Sequence, residues 1–161
     1  MKDIIWRIRK QGPLIFNILV SVAVVVITTW SSGQTGAASD GASKGIVRWF
    51  LSYLPGVHTE DTVALLDHLL RKAAHFTVYF ILGCSLTGCF RKQKRVPYVL
   101  AVLLTGAALA GLDEFHQMFV DGRGSLLTDV LLDTCGVAAG CLLAAAPESE
   151  RSAGARKPRK K

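Results

Sequence analysis

The stretch "GLDEFHQMFVDGRGSLLTD", residues 111–129, holds Asp113, Glu114, His116, Gln117, Asp121, Arg123 and Asp129 between two apolar blocks. Carboxylates and imidazoles transfer protons, and a guanidinium offers a fork of donors to phosphate or carboxylate oxygens. A second set lies upstream, where Arg71, His75 and Tyr79 recur at i, i+4 and i+8 and Lys72 precedes His75 by three. That spacing aligns them on one helical face, continued by Gly83 and Thr87. Downstream, Asp129, Asp133, Gly136 and Gly140 share a stripe, and Gly106 and Ala110 lead at the same interval to Asp113 and Gln117. Small residues on a stripe permit close helix contact, so these polar groups are expected to face a bundle interior.

The elements that must position them are apolar. Half of the 161 residues are hydrophobic, and they lie in blocks: 13–30, 73–90, 96–112 and 130–147. His75 and Asp133 are the only titratable interruptions apart from cysteine and tyrosine. A hydrocarbon core of roughly 30 Å takes about 20 helical residues to cross. The expectation is an all-α integral membrane bundle of four transmembrane helices, spanning about 13–30, 73–90, 96–114 and 128–147. Residues 1–12 precede the transmembrane domain (13–147) and a basic tail (148–161) follows it. "SSGQTGAASDGAS" (31–43) reads as an exposed loop, and "KGIVRWFLSYL" (44–54) as an amphipathic helix in the outer headgroup layer. "HTEDTVALLDHLLRK" (58–72), with Thr59 as N-cap, runs into the second span.

A net charge of +7 could signal nucleic acid, but its placement argues otherwise. Lys2, Arg7, Arg9 and Lys10, then Arg91, Lys92, Lys94 and Arg95, then Arg151, Arg156, Lys157, Arg159, Lys160 and Lys161 fall on one side of such a bundle. The positive-inside rule makes that side the cytoplasm, so both termini are inside a plasma membrane and the 31–72 and 113–125 connections are outside. No aromatic residue interleaves with the tail charges, so no nucleic-acid partner is expected; anionic lipid headgroups suit them. The first span exceeds the usual apolar region of a signal peptide and reads as uncleaved. Cys84, Cys89, Cys135 and Cys141 lie within spans, form no CxxC pair, and read as small packing residues.

The polar residues therefore converge at the outer face. Singly, each has a bland account: His75 tying helices together, Arg123 snorkelling, Tyr79 packing, "VDGRGS" turning. Together they exceed what three helix contacts require.

Lys-x-x-His-Phe-x-x-Tyr in "RKAAHFTVYFILG" (71–83), and Asp-Glu-x-x-Gln with Arg-x5-Asp in "DEFHQMFVDGRGSLLTDVLLDTCG" (113–136), resemble the VanZ-like membrane protein family. The loop "SSGQTGAAS" with Ser43 adds a weaker match. Family motif positions fall on Lys72, His75, Phe76, Tyr79, Asp113, Glu114, Gln117, Arg123, Asp129 and Asp133. The chain departs at Val78, where close relatives often carry glutamate, at Asp121, commonly proline, and at Asp133, asparagine in some members. The resemblance implies an envelope protein of bacteria, and the family's namesake is associated with low-level teicoplanin resistance.

Three functions fit. In the first, an outward pocket binds an anionic lipid-linked or cell-wall-related group, or a lipoglycopeptide, through Arg71, Lys72 and Arg123. Its remaining lining is His75, Tyr79, Asp113, Glu114, Gln117, Asp129 and Asp133. In the second, a hydrolase or transferase uses His75 or His116 as base, with Glu114 or Asp113 as orienter or acid and Arg123 as anion stabiliser. A metal-dependent form would use His75, His116, Glu114 and Asp129; no spacing such as HExxH supports it, and no metal or cofactor is expected. The third is a transport path, which four short helices would need homo-oligomerisation to build, for example through Gly136 and Gly140.

Overall fold

The structure, a computed structural model, describes residues 2–56, 59–91, 97–124 and 127–145, with side chains from residue 13 onward. The basic connection at 92–95 and the basic tail lie outside the described residues. Five helices follow in order: α1 (Lys2–Ser32), α2 (Gly36–Leu51), α3 (Glu60–Phe90), α4 (Tyr98–Gln117) and α5 (Leu127–Ala145). The described residues contain no strand. Four helices are long and apolar enough to cross a membrane: α3, α4, α5 and the 13–32 part of α1.

The apolar side chains divide by face. Val24, Tyr79, Leu82, Leu86, Val102, Ala110, Val137 and Cys141 form the buried core. Ile15, Phe16, Leu19, Leu104, Leu131 and Leu142 point outward and are at least half exposed. In water such a surface would be costly, whereas in lipid it costs nothing, because hydrocarbon is as apolar as leucine. The contacts that hold the bundle are consequently close packing and hydrogen bonds. A Cβ on Gly140 would overlap the Phe80 carbonyl of α3, and one on Gly83 would overlap the Val137 carbonyl of α5. The small-residue stripe thus lets α3 and α5 meet backbone to backbone, with Asp133 carried into the same seam. Gly136 and Gly140 are spent inside the chain, so the oligomer face drawn there from sequence is already occupied. Ser21 and Ser85 join α1 to α3 through hydroxyls 2.8 Å apart.

α3 runs unbroken from Glu60, as the sequence implied, and Thr59 caps it by accepting from the Thr62 amide at 3.3 Å. Its 31 residues make a rod of about 46 Å, more than a bilayer core requires. Its charged residues, Glu60, Asp61, Asp67, Arg71 and Lys72, all lie in the first turns, so the excess length is expected at that end.

The expected 31–43 loop is corrected: only 33–35 separate α1 from α2, and α2 already starts at Gly36, capped by Thr35. Val47 and Leu51 of α2 pack on Val63 of α3. Ile46, Trp49, Phe50 and Tyr53 remain exposed, a face suited to a headgroup layer.

Candidate functional site

One end of the bundle collects the end of α1, the start of α2, the end of α4 and the start of α5. A cavity of about 330 Å³ opens there, lined among others by Asp40, His68, Arg71, Lys72, His75, Gln117, Arg123, Asp129 and Asp133. Seven of the ten binding residues named from sequence reach it or its wall. Gly122, in the left-handed region at φ 74°, turns the α4–α5 connection back onto α2. The Gly36 amide donates to the Asp121 carbonyl at 3.0 Å, and a Cβ on Gly36 would overlap the Gly122 backbone. "VDGRGS" is thus a turn, and the turn closes the cavity.

The charges in this cavity are sorted by partner. Arg71 bonds Asp40 through Nη1, and its Nη2 lies 2.9 Å from Asp67 Oδ2. Neither Asp67 oxygen has an aligned hydrogen bond, so that second contact is an ion pair held by proximity alone. Lys72 bonds Asp129. Arg123 differs: its Nε donates to the Gln34 carbonyl and its Nη2 to the Ser31 carbonyl, each at 3.1 Å. Among the described residues, no carboxylate pairs with Arg123. Its fork is fixed by neutral oxygens and its positive charge is left at the cavity.

Deeper, Asp133 is fully buried, and its Oδ2 lies 3.4 Å from His75 Nδ1. Asp113 Oδ2 accepts from Ser32 Oγ at 2.9 Å and from Gln117 Nε2 at 3.0 Å. One ligand atom each from His75, Asp113 and Asp133 lies within 4.8 Å of the other two.

A family model described as VanZ/LLP1 matches residues 16–146. The chain belongs to the VanZ/LLP1 family. No curated protein and no solved structure matches it. With its spanning helices, this VanZ/LLP1 member is a multi-pass membrane protein.

Within this VanZ/LLP1 chain the remaining candidates lie off the polar cavity, and Tyr79, Asp113 and His116 line one separate cleft together. Glu114 is buried but does not line the cavity. Tyr79 is buried beside Asp113 along a second, largely apolar cleft of about 210 Å³ between α1 and α4. His116 is exposed and faces that cleft, not the polar cavity. One position separates it from Gln117, about 100° around the helix, which is enough to change sides. The metal set drawn from sequence is likewise not what meets: His116, Glu114 and Asp129 stand outside the His75–Asp113–Asp133 group. Sequence reading passed over Ser32, Asp40 and Asp67, each bonded to or paired with a named residue. For Asp67 a signal existed, its i, i+4 spacing to Arg71.

Proposed function

We propose that the polar end of the bundle binds an anionic lipid-linked or cell-wall-related group at the outer face of the bacterial plasma membrane. Through that binding it lowers susceptibility to glycopeptides such as teicoplanin. The observation that carries this reading is Arg123, a guanidinium held in place by the Gln34 and Ser31 carbonyls and paired with no carboxylate among the described residues. An anion arriving there gains a charge-assisted bond to a preorganised donor without first breaking an ion pair. The cavity volume of about 330 Å³ suits a phosphorylated headgroup. A separate apolar cleft lined by Val24, Val25, Leu109 and Leu112 offers a surface to an acyl or prenyl chain.

Lipid mass spectrometry on protein purified in mild detergent tests this. Wild type should retain one class of anionic lipid, and Arg123→Gln should bind it about ten- to a hundredfold more weakly, the worth of one charged hydrogen bond. Arg123→Lys should fall between the two. Equal lipid content and equal teicoplanin susceptibility in wild type and Arg123→Gln would end the proposal.

The hydrolase reading retains two supporting geometries: His75 against Asp133, and His116 lining one cleft with Asp113 and Tyr79. It requires a lipid that changes mass on incubation with wild type and not with His75→Gln.

A further inference from the structure

We propose that His75, Asp113 and Asp133 form a binding site for one divalent transition-metal cation of the manganese or zinc class. The inference stands independently of the anionic ligand at Arg123.

The His75–Asp133 contact is long for a hydrogen bond and leaves room for a shared ion. A charge-assisted hydrogen bond closes to about 2.7–2.9 Å, but His75 Nδ1 and Asp133 Oδ2 stand 3.4 Å apart. Two ligands on one tetrahedral metal at about 2.0–2.1 Å are separated by roughly 3.3 Å. The three ligand atoms all fall within 4.8 Å of one another, which sub-ångström side-chain adjustments bring into a single coordination sphere.

The partner accounting points the same way. Asp113 Oδ1 and Asp133 Oδ1 are buried without hydrogen-bond partners among the described residues. Their residues are 8% and 0% exposed. The nearby cations are committed elsewhere, Lys72 to Asp129 and Arg71 to Asp40 and Asp67. Buried carboxylate oxygens left unmatched are costly, and a dication bound by both carboxylates would neutralise the charge they carry. Ser32 and Gln117 hold Asp113 by Oδ2, the kind of outer support that orients a metal-binding carboxylate and leaves its other oxygen to the ion. The imidazole nitrogen favours a transition metal such as zinc, and the two carboxylates also suit manganese. His75 and Asp133 also line the polar cavity, so the ion's open positions face it.

Because the cysteines are free and could take zinc, manganese is the probe. The full chain in detergent, stripped with chelator, is titrated with Mn²⁺ and followed by electron paramagnetic resonance. One Mn²⁺ per chain should bind with a Kd below about 1 mM. Asp133→Asn and His75→Gln should weaken it by about a hundredfold or more, since loss of even an outer partner costs about 10–100-fold. Pulsed measurements on the wild-type complex should detect a coordinated imidazole nitrogen, which needs no variant to fold. A weaker Kd, unchanged affinity in either folded variant, or absence of that nitrogen would overturn the site. Arg123→Gln should keep the manganese even where it loses lipid, so the two proposals fail separately.

Discussion

Asp113 holds its place through one oxygen, Oδ2, which accepts from Ser32 and Gln117, and both donors are themselves buried. Ser32→Ala removes one of the two bonds and leaves the rest of the carboxylate's surroundings intact. A hydrogen bond to a charged group is worth about 1.5–3 kcal/mol and one to a neutral group about 1. Ser32→Ala should therefore destabilise the folded protein by about 1–3 kcal/mol in reversible unfolding in micelles. Ser31→Ala, whose side chain is exposed, should stay within about 0.5 kcal/mol of wild type. Chemical type alone could not distinguish these two serines. They are adjacent in a polar, glycine-rich run, and only the tertiary fold buries one of them. Asp113, Gln117 and Asp133 were legible because helical spacing places them on the same faces as small residues. His116 lies off the polar cavity because its helix phase, one position before Gln117, turns it to the cleft that Asp113 and Tyr79 also line.

At the scale of the element, α2 illustrates why local signals fell short. Gly36, Gly41 and Gly45 lower helix propensity by about 1 kcal/mol each relative to alanine, so 36–43 read as loop. Contacts made at both ends of α2 offset that cost: Gly36 against the Gly122 turn, and Val47 and Leu51 on α3. Asp40 adds an electrostatic clasp. Partial burial pushes its carboxyl up, but Arg71 and Lys44 together outweigh that and hold it below its ordinary 3.8. A carboxyl lowered in the folded state contributes stability above its unfolded value and loses it as pH falls through the folded one. Docking of α2 should thus loosen below pH 3.8, seen as faster amide exchange across 36–51, and Asp40→Asn should abolish that pH step. The glycine stripes read as facing the bundle interior because they recur at helical spacing. Gly136 and Gly140 also read as an oligomer face, but the structure packs them on α3. The α3–α5 seam gives a sharper test. Gly83→Ala and Gly140→Ala must push two backbones apart and should each cost about 1–3 kcal/mol or more. Gly111→Ala, with open space at its Cβ, should be neutral or slightly stabilising. Equal effects at all three would mean that the seam is looser than described.

Orientation belongs to the whole molecule, and no packing contact fixes it. The bundle has one end rich in paired charge and cavity, and α3 and α5 end, and α4 begins, at the other. The positive-inside rule acts on short flanking segments during insertion rather than on the folded core. The basic segments therefore bear on it most directly. With 14 of the 19 lysines and arginines in three segments of common side, the cavity should face away from the cytoplasm. A chain with Cys84, Cys89, Cys135 and Cys141 replaced by alanine allows single-cysteine mapping with a membrane-impermeant maleimide. Ala37→Cys, exposed near the start of α2, should label in intact cells, and Gln93→Cys only after permeabilisation. The long α3 makes the same prediction from its other property. Its excess length of roughly 16 Å over the hydrocarbon must emerge where α2 lies, carrying Asp67 and Arg71 into the headgroup layer. Trp49 beside it should then be quenched by lipids brominated near the headgroup more than by those brominated deep in the chain. If Gln93→Cys labels from outside while Ala37→Cys is protected, the cavity opens to the cytoplasm. Arg123 would then meet phosphorylated cytosolic metabolites or inner-leaflet headgroups, and the link to glycopeptides would lose its physical basis.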